Sequence, residues 1–256
     1  MRKAIKQLLL PLRKAANRFV NPAPEAVAPT YIASPDSIIY KAAAFTAINK
    51  VEGDYLEFGV YQGGSYIFAY HTLKHSFDDV INRWGFTMSE KDRLLTSSLF
   101  RKMRFFAFDS FEGLPEITDA DTHGFFSKGQ FSASLDTFNS SLKAAGVPLE
   151  RSVVVNGWYD QTLTPTVYDR HQLTKAAIVH IDCDLYESTR VVLEFITPLL
   201  VDGTIIIFDD WFHFNGHPQR GEQKAFHEWT AKLTNWSFSD YQQEGGWRKS
   251  FIASKH

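Results

Sequence analysis

Residues 54–65 read DYLEFGVYQGGS, which combines an apolar strand, a glycine-rich turn and the start of a helix. A glycine-rich turn after a first strand lets the backbone approach a ligand closely. Its G-x-x-x-G-G spacing differs from the G-x-G-x-x-G spacing of dinucleotide-binding turns. Glu57, two residues before the first glycine, suits a ligand with an ammonium group better than one with phosphates. A tight strand-to-helix turn without a ligand is the alternative.

Short apolar stretches recur along the chain and alternate with helical patterns. The predicted strands are 54–60, 105–108, 152–155, 177–181 and 204–208, with closing strands in 236–253. The predicted helices begin near residue 36 and then cover 65–73, 134–145, 188–200 and 221–233. Apolar strands that alternate with helices form a parallel sheet that is covered on both faces. The sequence therefore predicts a doubly wound, mostly parallel, Rossmann-like α/β fold.

Two segments are longer than a simple connection requires. Residues 78–104 contain a helical pattern over 88–102, which predicts an inserted helix that serves either as part of a lid or as an oligomer contact. Residues 116–131 are rich in Asp, Gly and Phe and follow a predicted strand end, where loops of this architecture carry function. We expect this second segment to form a lid.

Composition limits the classes to which the protein can belong. With 256 residues, 44% of them hydrophobic, the chain can bury a full core in one large domain. A net charge of -2 implies no general attraction to nucleic acid. The single cysteine, Cys183, cannot form a disulfide framework. A chain without disulfides suits a reducing compartment, so a cytoplasmic location is predicted.

The first 35 residues differ from the rest and predict a boundary between an arm with a linker, 1–35, and a main domain, 36–256. Residues 1–20 are basic around a short apolar run, and residues 21–35 contain four prolines. The apolar run is too short to span a bilayer, so no stable membrane insertion is expected. The arm is expected to pack on the body or on a second copy in a homo-oligomer, and weak contact with a membrane surface is the alternative.

Acidic residues follow three of the predicted strands. They are Asp109 after the second strand, Asp182 and Asp184 after the fourth, and Asp209 and Asp210 after the fifth. In a parallel sheet these ends lie on one edge, so Asp182, Asp209 and Asp210 can converge. Three carboxylates in one site repel each other unless a cation lies between them. Oxygen ligands select hard cations, Mg²⁺ first. Separate helix and turn caps are the alternative.

Other potentially reactive side chains lie close to these acids in sequence. His213 and His217 could face the same cleft, although solvated loop histidines are the commoner case. Cys183 lies between two aspartates, which would raise the pKa of its thiol and disfavour a nucleophilic role.

Five motifs occur in a fixed order between residues 55 and 229: EFGVYQGGS, FDSFEGLPE, GWYDQTL, IDCDLYEST and FDDW. Together they resemble the macrocin O-methyltransferase family, the TylF/MycF-type enzymes that methylate sugar hydroxyls in macrolide biosynthesis. The second and fourth motifs are specific, whereas the glycine turn alone is not. The paired acidic strand ends are more distantly similar to the catechol-type metal-dependent methyltransferases.

The resemblance implies a class I methyltransferase fold, S-adenosyl-L-methionine as methyl donor and a bound Mg²⁺. By position, the residues that would bind the cofactor are Glu57, Gly59, Tyr61, Gly63 and Ser65 for the methionine part, Asp109 and Ser110 for the ribose, and Trp158 near the adenine. The residues that would bind the metal are Asp182, Asp209 and Asp210. The insertion at 78–104 and the segment 211–220, WFHFNGHPQR, depart from the family pattern and leave the acceptor open.

These features predict an O-methyltransferase that acts on a hydroxyl of a sugar or of a glycosylated small molecule. Asp182 is the first choice for both metal ligand and general base, and Asp184 is the second choice for the base. Catechol-type enzymes have a lysine three residues after the first metal aspartate, where this chain has Leu185. The alternatives are a catalytically silent binding or scaffold protein of the same fold, and a nicotinamide-dependent oxidoreductase, against which the glycine spacing argues.

Overall fold

The computed structural model describes residues 36–118, 121–122 and 126–256, so the predicted arm and linker at 1–35 lie outside the described residues. One sheet has the strand order β3-β2-β1-β4-β5-β7-β6. The strands are β1 (Asp54–Phe58), β2 (Phe105–Asp109), β3 (Ser152–Asn156), β4 (Ala176–Ile181), β5 (Leu200–Phe208), β6 (Trp236–Glu244) and β7 (Arg248–Lys255). Strands β1 to β5 pair in parallel, and β7 runs antiparallel to both β5 and β6. The predicted mostly parallel sheet with closing strands at its end is confirmed.

Helices cover both faces of this sheet. They are α1 (Ile38–Asn49), α2 (Gly64–Trp84), α3 (Glu90–Lys102), α4 (Leu135–Ala144), α5 (Tyr159–Thr162), α6 (Pro165–His171), α7 (Tyr186–Ile196) and α8 (Gly221–Thr230). Because side chains alternate across a strand, Phe105 and Ala107 of β2 join the core under α1 to α4. Phe106 and Phe108 join the core under α6, α7 and α8.

Helix α2 is longer than predicted and accounts for part of the apparent insertion. Leu73, Phe77 and Val80 are all buried, and their spacing of four and three residues keeps one apolar face turned inward as far as Val80, one turn before the helix ends at Trp84. The inserted helix itself is confirmed as α3. It begins where Ser89 Oγ accepts a hydrogen bond from the backbone N–H of Asp92 at 3.1 Å.

The position of α3 does not fit a lid. Asp92 forms an ion pair with Lys50 at 2.5 Å, and Lys50 lies just before β1. Helix α3 is therefore tied to the edge of the sheet where the parallel strands begin, opposite the edge where they end. An oligomer contact remains the predicted role of this segment.

Strand β5 begins four residues before its predicted start. Asp202 and Gly203 have the composition of a turn, but the structure absorbs them in an irregularity where Ala176 pairs with Leu200 and Ile178 pairs with Ile205. Helices α5 and α6 were not predicted, since four and seven residues are too few to show a helical period.

The strand order fixes where a ligand can bind. The chain passes from β1 to β2 to β3 on one side and then returns to place β4 on the other side of β1. Such a reversal opens a crevice at the carboxyl ends of β1 and β4, where ligands bind in sheets of this kind. Within the described residues, no helix is long and apolar enough to cross a membrane.

Candidate active site

The glycine turn after β1 is shaped by its contact with the end of β4. Gly59 has φ +87°, and a Cβ at this position would lie 1.8 Å from the carbonyl oxygen of Asp182. Gly63 has φ +90°, and a Cβ there would lie 3.1 Å from the ring of Phe138. Packing against backbone therefore requires glycine at Gly59, and the positive φ favours glycine at Gly63.

The carboxylate of Asp109, at the end of β2, holds this turn in place. Its Oδ2 accepts hydrogen bonds from the backbone N–H of Val60 at 2.8 Å and of Tyr61 at 3.2 Å. Its Oδ1 accepts one from Phe111 at 2.7 Å. Asp109 therefore caps the turn, which was the alternative role predicted for it. The same residue also lines the cavity described below.

Glu57 lies beneath the turn and is fully buried. Its Oε1 accepts a hydrogen bond from Ser65 Oγ at 2.6 Å, and its Oε2 accepts one from the hydroxyl of Tyr55. Nδ1 of His180, on the adjacent strand β4, lies 3.6 Å from the same Oε2. Both carboxylate oxygens are therefore engaged inside the protein.

A cavity of about 640 Å³ opens at the carboxyl ends of the strands, a volume typical of small-molecule sites. Five of the eight predicted cofactor residues line it, namely Gly59, Tyr61, Asp109, Ser110 and Trp158. All four predicted metal-binding or catalytic acids line it as well, namely Asp182, Asp184, Asp209 and Asp210. The other three predicted cofactor residues, Glu57, Gly63 and Ser65, are not among its lining residues. The structure thus brings the glycine turn and the acidic edge to one cavity.

The acids at the ends of β4 and β5 fall into two groups. In each group the candidate ligand atoms lie within 4.8 Å of one another. One group contains His180, Asp182 and Asp209, and the other contains Asp184, Asp210 and His213. The three predicted metal ligands are therefore divided between the groups, with Asp182 and Asp209 in the first and Asp210 in the second.

The first group contains positive charge that sequence analysis missed. Arg248 Nε lies 2.5 Å from Asp209 Oδ1, and His180 Nε2 lies 3.4 Å from the same oxygen. Burial alone would lower the pKa of His180, but its hydrogen bonds to Asp209 and Glu57 outweigh burial and raise the pKa to about 10. Burial alone would raise the pKa of Asp209, but His180 and Arg248 lower it to about 2. His180 and Asp209 are thus a charged pair.

The positions of these two basic residues explain why they were missed. His180 precedes Asp182 by two residues, so both point to the same side of β4, and His180 is in register with Glu57 of β1. That juxtaposition follows from the sequence once the strand pairing is known. Arg248 comes from β7, which reaches Asp209 only because β7 inserts antiparallel next to β5, and no local motif indicates this.

The remaining acids receive less compensation: His180 only partly offsets the charge around Asp182, and His213 Nδ1 lies 3.0 Å from Asp210 Oδ1. Burial, followed by the charge of Asp209, raises the pKa of Asp182 well above its usual range. Burial and the neighbouring Asp210 do the same to the pKa of Asp184. Glu222, which the sequence did not single out, accepts the backbone N–H of Asp210 at 3.0 Å, and burial raises its pKa also. Several carboxyl groups here cannot all be ionised without further positive charge.

Two aromatic side chains of the predicted lid segment border the cavity, Phe126 and Phe131. The ring of Phe131 lies 6.5 Å from that of Tyr61, and the ring of Phe126 lies 5.6 Å from that of His213. Asp121 anchors the segment, because its Oδ1 accepts the backbone N–H of Tyr186 at 2.7 Å at the start of α7. The described part of the segment therefore spans the cavity from the glycine turn to the acidic edge.

A family model described as macrocin-O-methyltransferase (TylF) matches residues 38–235 of this chain. The chain belongs to the TylF macrocin-O-methyltransferase family. The resemblance stated from its motifs is confirmed.

Two curated relatives of this TylF-family protein are named as O-methyltransferases. The 8-demethyl-8-(2,3-dimethoxy-alpha-L-rhamnosyl)-tetracenomycin-C 4'-O-methyltransferase of Streptomyces olivaceus is 29% identical over 168 residues, which cover 63% of this chain and 54% of that protein. The mycinamicin III 3''-O-methyltransferase of Micromonospora griseorubida is 28% identical over 169 residues, which cover 63% and 56%. This TylF-family chain thus spans about half the length of the curated relatives it matches.

Among solved structures, the O-methyltransferase NovP superimposes on this TylF-family protein with a TM-score of 0.61. The match has 18% sequence identity and covers 85% of this chain and 78% of NovP. At that identity the likeness establishes the fold, which is that of an O-methyltransferase.

Proposed function

We propose that this protein is an S-adenosyl-L-methionine-dependent O-methyltransferase that acts on a hydroxyl of a sugar or of a glycosylated small molecule. The observation that carries the proposal is the single cavity with the glycine turn and Asp109 on one wall and four aspartates on the other. Membership of the TylF family and the names of both curated relatives support the same activity and the same acceptor class. The relatives are named for different positions, 4' and 3'', so the methylated position stays open.

The wall formed by the glycine turn suits the cofactor. Gly59 has no side chain between the backbone and the cavity, and Asp109 and Ser110 border the cavity beside it. Trp158 offers a flat apolar face after β3 for an adenine ring. We propose that these residues, with Tyr61, hold S-adenosyl-L-methionine, and that Glu57, Gly63 and Ser65 act by fixing the turn.

The acidic wall suits a divalent cation. Four carboxylates, those of Asp182, Asp184, Asp209 and Asp210, face three basic side chains, those of His180, Arg248 and His213, so negative charge is in excess even when all are ionised. Oδ2 of Asp210 is also buried without a hydrogen-bond partner in the described residues. We propose a cation at this edge, with Asp182, Asp209 and Asp210 as the ligands implied by the family. When bound, it would lower the pKa of the acceptor hydroxyl.

Asp182 is the proposed general base. Transfer forms an oxygen–carbon bond as the carbon–sulfur bond of the sulfonium breaks and its electron pair moves to sulfur, so the protein must align the reactants and accept the hydroxyl proton. Asp182 lines the cavity at the end of β4, where its carboxylate can accept that proton. Asp184, which also lines the cavity, is the second candidate. Phe126 and Phe131 would exclude water from the closed cavity.

The test separates this function from its alternatives. Calorimetric titration of the full chain with S-adenosylhomocysteine and with NAD should give binding of the first alone, and methyl transfer to a rhamnosyl glycoside should be measured by mass spectrometry. Asp182→Asn should lower kcat by about 10²–10⁴-fold, the usual contribution of a general base, and leave the Kd for S-adenosylhomocysteine within about threefold. Asp169→Asn, an exposed position on α6, is the control.

Each contrary result has a definite meaning. Binding of NAD in place of S-adenosylhomocysteine would indicate an oxidoreductase. Binding of S-adenosylhomocysteine without transfer to any glycoside, and without effect of Asp182→Asn, would indicate a silent member of the fold.

A further inference from the structure

We propose that two copies of this chain associate through α3, with the two helices antiparallel about a two-fold axis, so that the protein forms a homodimer. The contact surface would be the exposed side of α3 that contains Glu90, Leu94, Ser97 and Arg101, called here the α3 face. Because α3 is tied to the edge of the sheet opposite the cavity, this association leaves both cavities open.

Large apolar side chains are exposed on and beside α3. Trp84 and Phe86, at the end of α2 and in the turn after it, are 59% and 85% exposed. Leu94 and Leu95 are 61% and 44% exposed. Of the nine large apolar side chains that are exposed in the described residues, four therefore lie within the segment 84–95. Single exposed apolar residues are common, but a cluster of them marks a surface on which another molecule binds.

The inner side of α3 is already used by the fold. Thr96 and Leu99 are buried, and Phe100 packs against the core. Asp92 adds the ion pair with Lys50 at 2.5 Å. A helix that is fixed by its inner side presents its outer side without further ordering, which lowers the entropic cost of association.

The α3 face is complementary to itself when it is reversed. Its four residues are separated by four, three and four positions, so they lie on one side of the helix. In an antiparallel pair whose axis passes midway between Leu94 and Ser97, these two residues face each other. The same axis places Glu90 opposite Arg101. A two-fold interface needs this reciprocity, because one surface must fit itself, and the small Ser97 leaves room for the leucine of the other copy.

The charges at the ends of α3 favour the antiparallel direction. The first turn contains Glu90 and Asp92, and the last turn contains Arg101 and Lys102. Within the part of the chain that the structure describes, Glu90 and Arg101 form no ion pair, so both are available to a second copy. A parallel pair would set acid against acid and base against base. Exposed ion pairs contribute little affinity but fix orientation.

A second copy fits this surface better than the two other possible occupants. The segment 1–20 has six basic residues and no acidic residue, so it complements Glu90 but repels Arg101 and Lys102. An anionic membrane has the opposite mismatch, since it attracts the basic last turn and repels Glu90. Only a second copy supplies both charges at the required ends.

The test is the oligomeric state of the full chain in solution. The α3 face is about 20 Å long, which is small for a specific interface, so sedimentation velocity should show a monomer–dimer equilibrium with a Kd on the order of 1–100 µM. Leu94→Asp should weaken dimerisation at least about tenfold, because it places a charge at the centre of the interface. Trp247→Asp replaces an exposed apolar residue between β6 and β7 and is the control that should keep the dimer.

A charge exchange tests the antiparallel direction. Glu90→Arg should weaken the dimer about threefold to tenfold, because two ion pairs are replaced by two repulsive pairs. Adding Arg101→Glu to the same chain should restore the dimer. Restoration requires the two positions to face each other across the interface, and a general change in net charge or a folding defect would not produce it.

Four results would overturn the proposal. They are a wild type that stays monomeric at every concentration, a dimer that Leu94→Asp does not weaken, a dimer that Trp247→Asp weakens equally, and a charge exchange without restoration. A monomer whose unfolding temperature falls in Leu94→Asp, at every protein concentration, would indicate that the segment 1–20 covers the α3 face. A monomer that binds vesicles of phosphatidylserine and phosphatidylcholine, and loses that binding in Leu94→Asp, would indicate a membrane-surface contact. Equal unfolding temperatures of a monomeric Leu94→Asp and of the wild type at low concentration, where both are monomers, exclude misfolding as the cause.

Discussion

The glycine turn after β1 and the acidic edge at the ends of β4 and β5 face each other across one cavity, but the protein satisfies their polar groups to different degrees. In the turn, the Asp109 carboxylate accepts three backbone hydrogen bonds, and both oxygens of Glu57 are engaged. At the acidic edge, Oδ2 of Asp210 and Oε1 of Glu222 are buried without partners in the described residues.

The two regions therefore differ in how strongly they indicate a ligand. Contacts within the protein already account for Gly59, Asp109 and Glu57 in the turn. The identity of these residues alone therefore says little about which ligand binds beside them. The acidic edge is incomplete without a further positive charge, so it points to a ligand by its own chemistry. The two regions are also joined, because Gly59 packs directly on the carbonyl of Asp182.

The largest effect expected from this comparison is that of Gly59→Ala. The added Cβ would lie 1.8 Å from Asp182 O, a backbone atom that cannot move without shifting β4, and φ +87° disfavours any side chain. We expect loss of more than about 4 kcal/mol of unfolding free energy, or no soluble protein, in thermal or urea unfolding.

Gly129→Ala is the matched control. Gly129 has φ +77° but no atom within 4 Å of its added Cβ, so only the conformational cost of about 1–2 kcal/mol should appear. Equal losses in the two variants would mean that the close contact between the turn and β4 is unimportant.

A smaller effect is expected from pH, through His180. The folded pKa of about 10 lies above the ordinary value of 6.5, so the folded protein keeps a proton that the unfolded chain loses. The stabilisation is complete below pH 6.5 and is lost as pH rises toward about 10. In chelator, the unfolding temperature should fall by roughly 3–6 °C for each pH unit across this window, given about 1.4 kcal/mol per pKa unit and 2–4 °C per kcal/mol.

His180→Gln should remove this pH dependence, and His217→Gln should keep it. The same dependence of unfolding temperature on pH in His180→Gln and in the wild type would show that another group holds the proton. The assignment of His180 and Asp209 as a charged pair would then be wrong.

Much of the fold was predictable because its signals are local. The strands that form the centre of the sheet are short apolar runs bounded by turns, and the order of strand and helix specified the doubly wound architecture. The errors have physical causes. Helix α2 continues past its predicted end because Phe77 and Val80 extend the apolar face across a stretch of polar residues. Strand β5 includes Asp202 and Gly203 because a bulge absorbs them.

The candidate site was predictable only where its residues belong to strand ends. Asp109, Asp182, Asp184, Asp209 and Asp210 reach the cavity because parallel strands end on one edge. Arg248 was not predictable, since it depends on how β7 pairs with β5. The grouping of the four aspartates depends on the direction in which each side chain points at the strand end. The spacing of the motifs does not specify these directions. The division into two groups therefore became visible only in three dimensions.

The smallest effect expected is that of Ser65→Ala. This variant tests whether the polar groups of the turn are hydrogen-bonded by the protein itself. Ser65 was predicted to contact the cofactor, whereas its hydroxyl donates to Glu57 Oε1 at 2.6 Å beneath the turn. Losing a hydrogen bond to a charged group should cost about 1.5–3 kcal/mol of unfolding free energy, which is a few degrees in unfolding temperature. The Kd for S-adenosylhomocysteine should change by less than about threefold, because no ligand contact is removed. Ser132→Ala, at an exposed position, is the control and should change neither property. An unchanged unfolding temperature together with a tenfold weaker Kd would instead mean that Ser65 turns toward the ligand, and the contrast between the satisfied turn and the unsatisfied acidic edge would not hold.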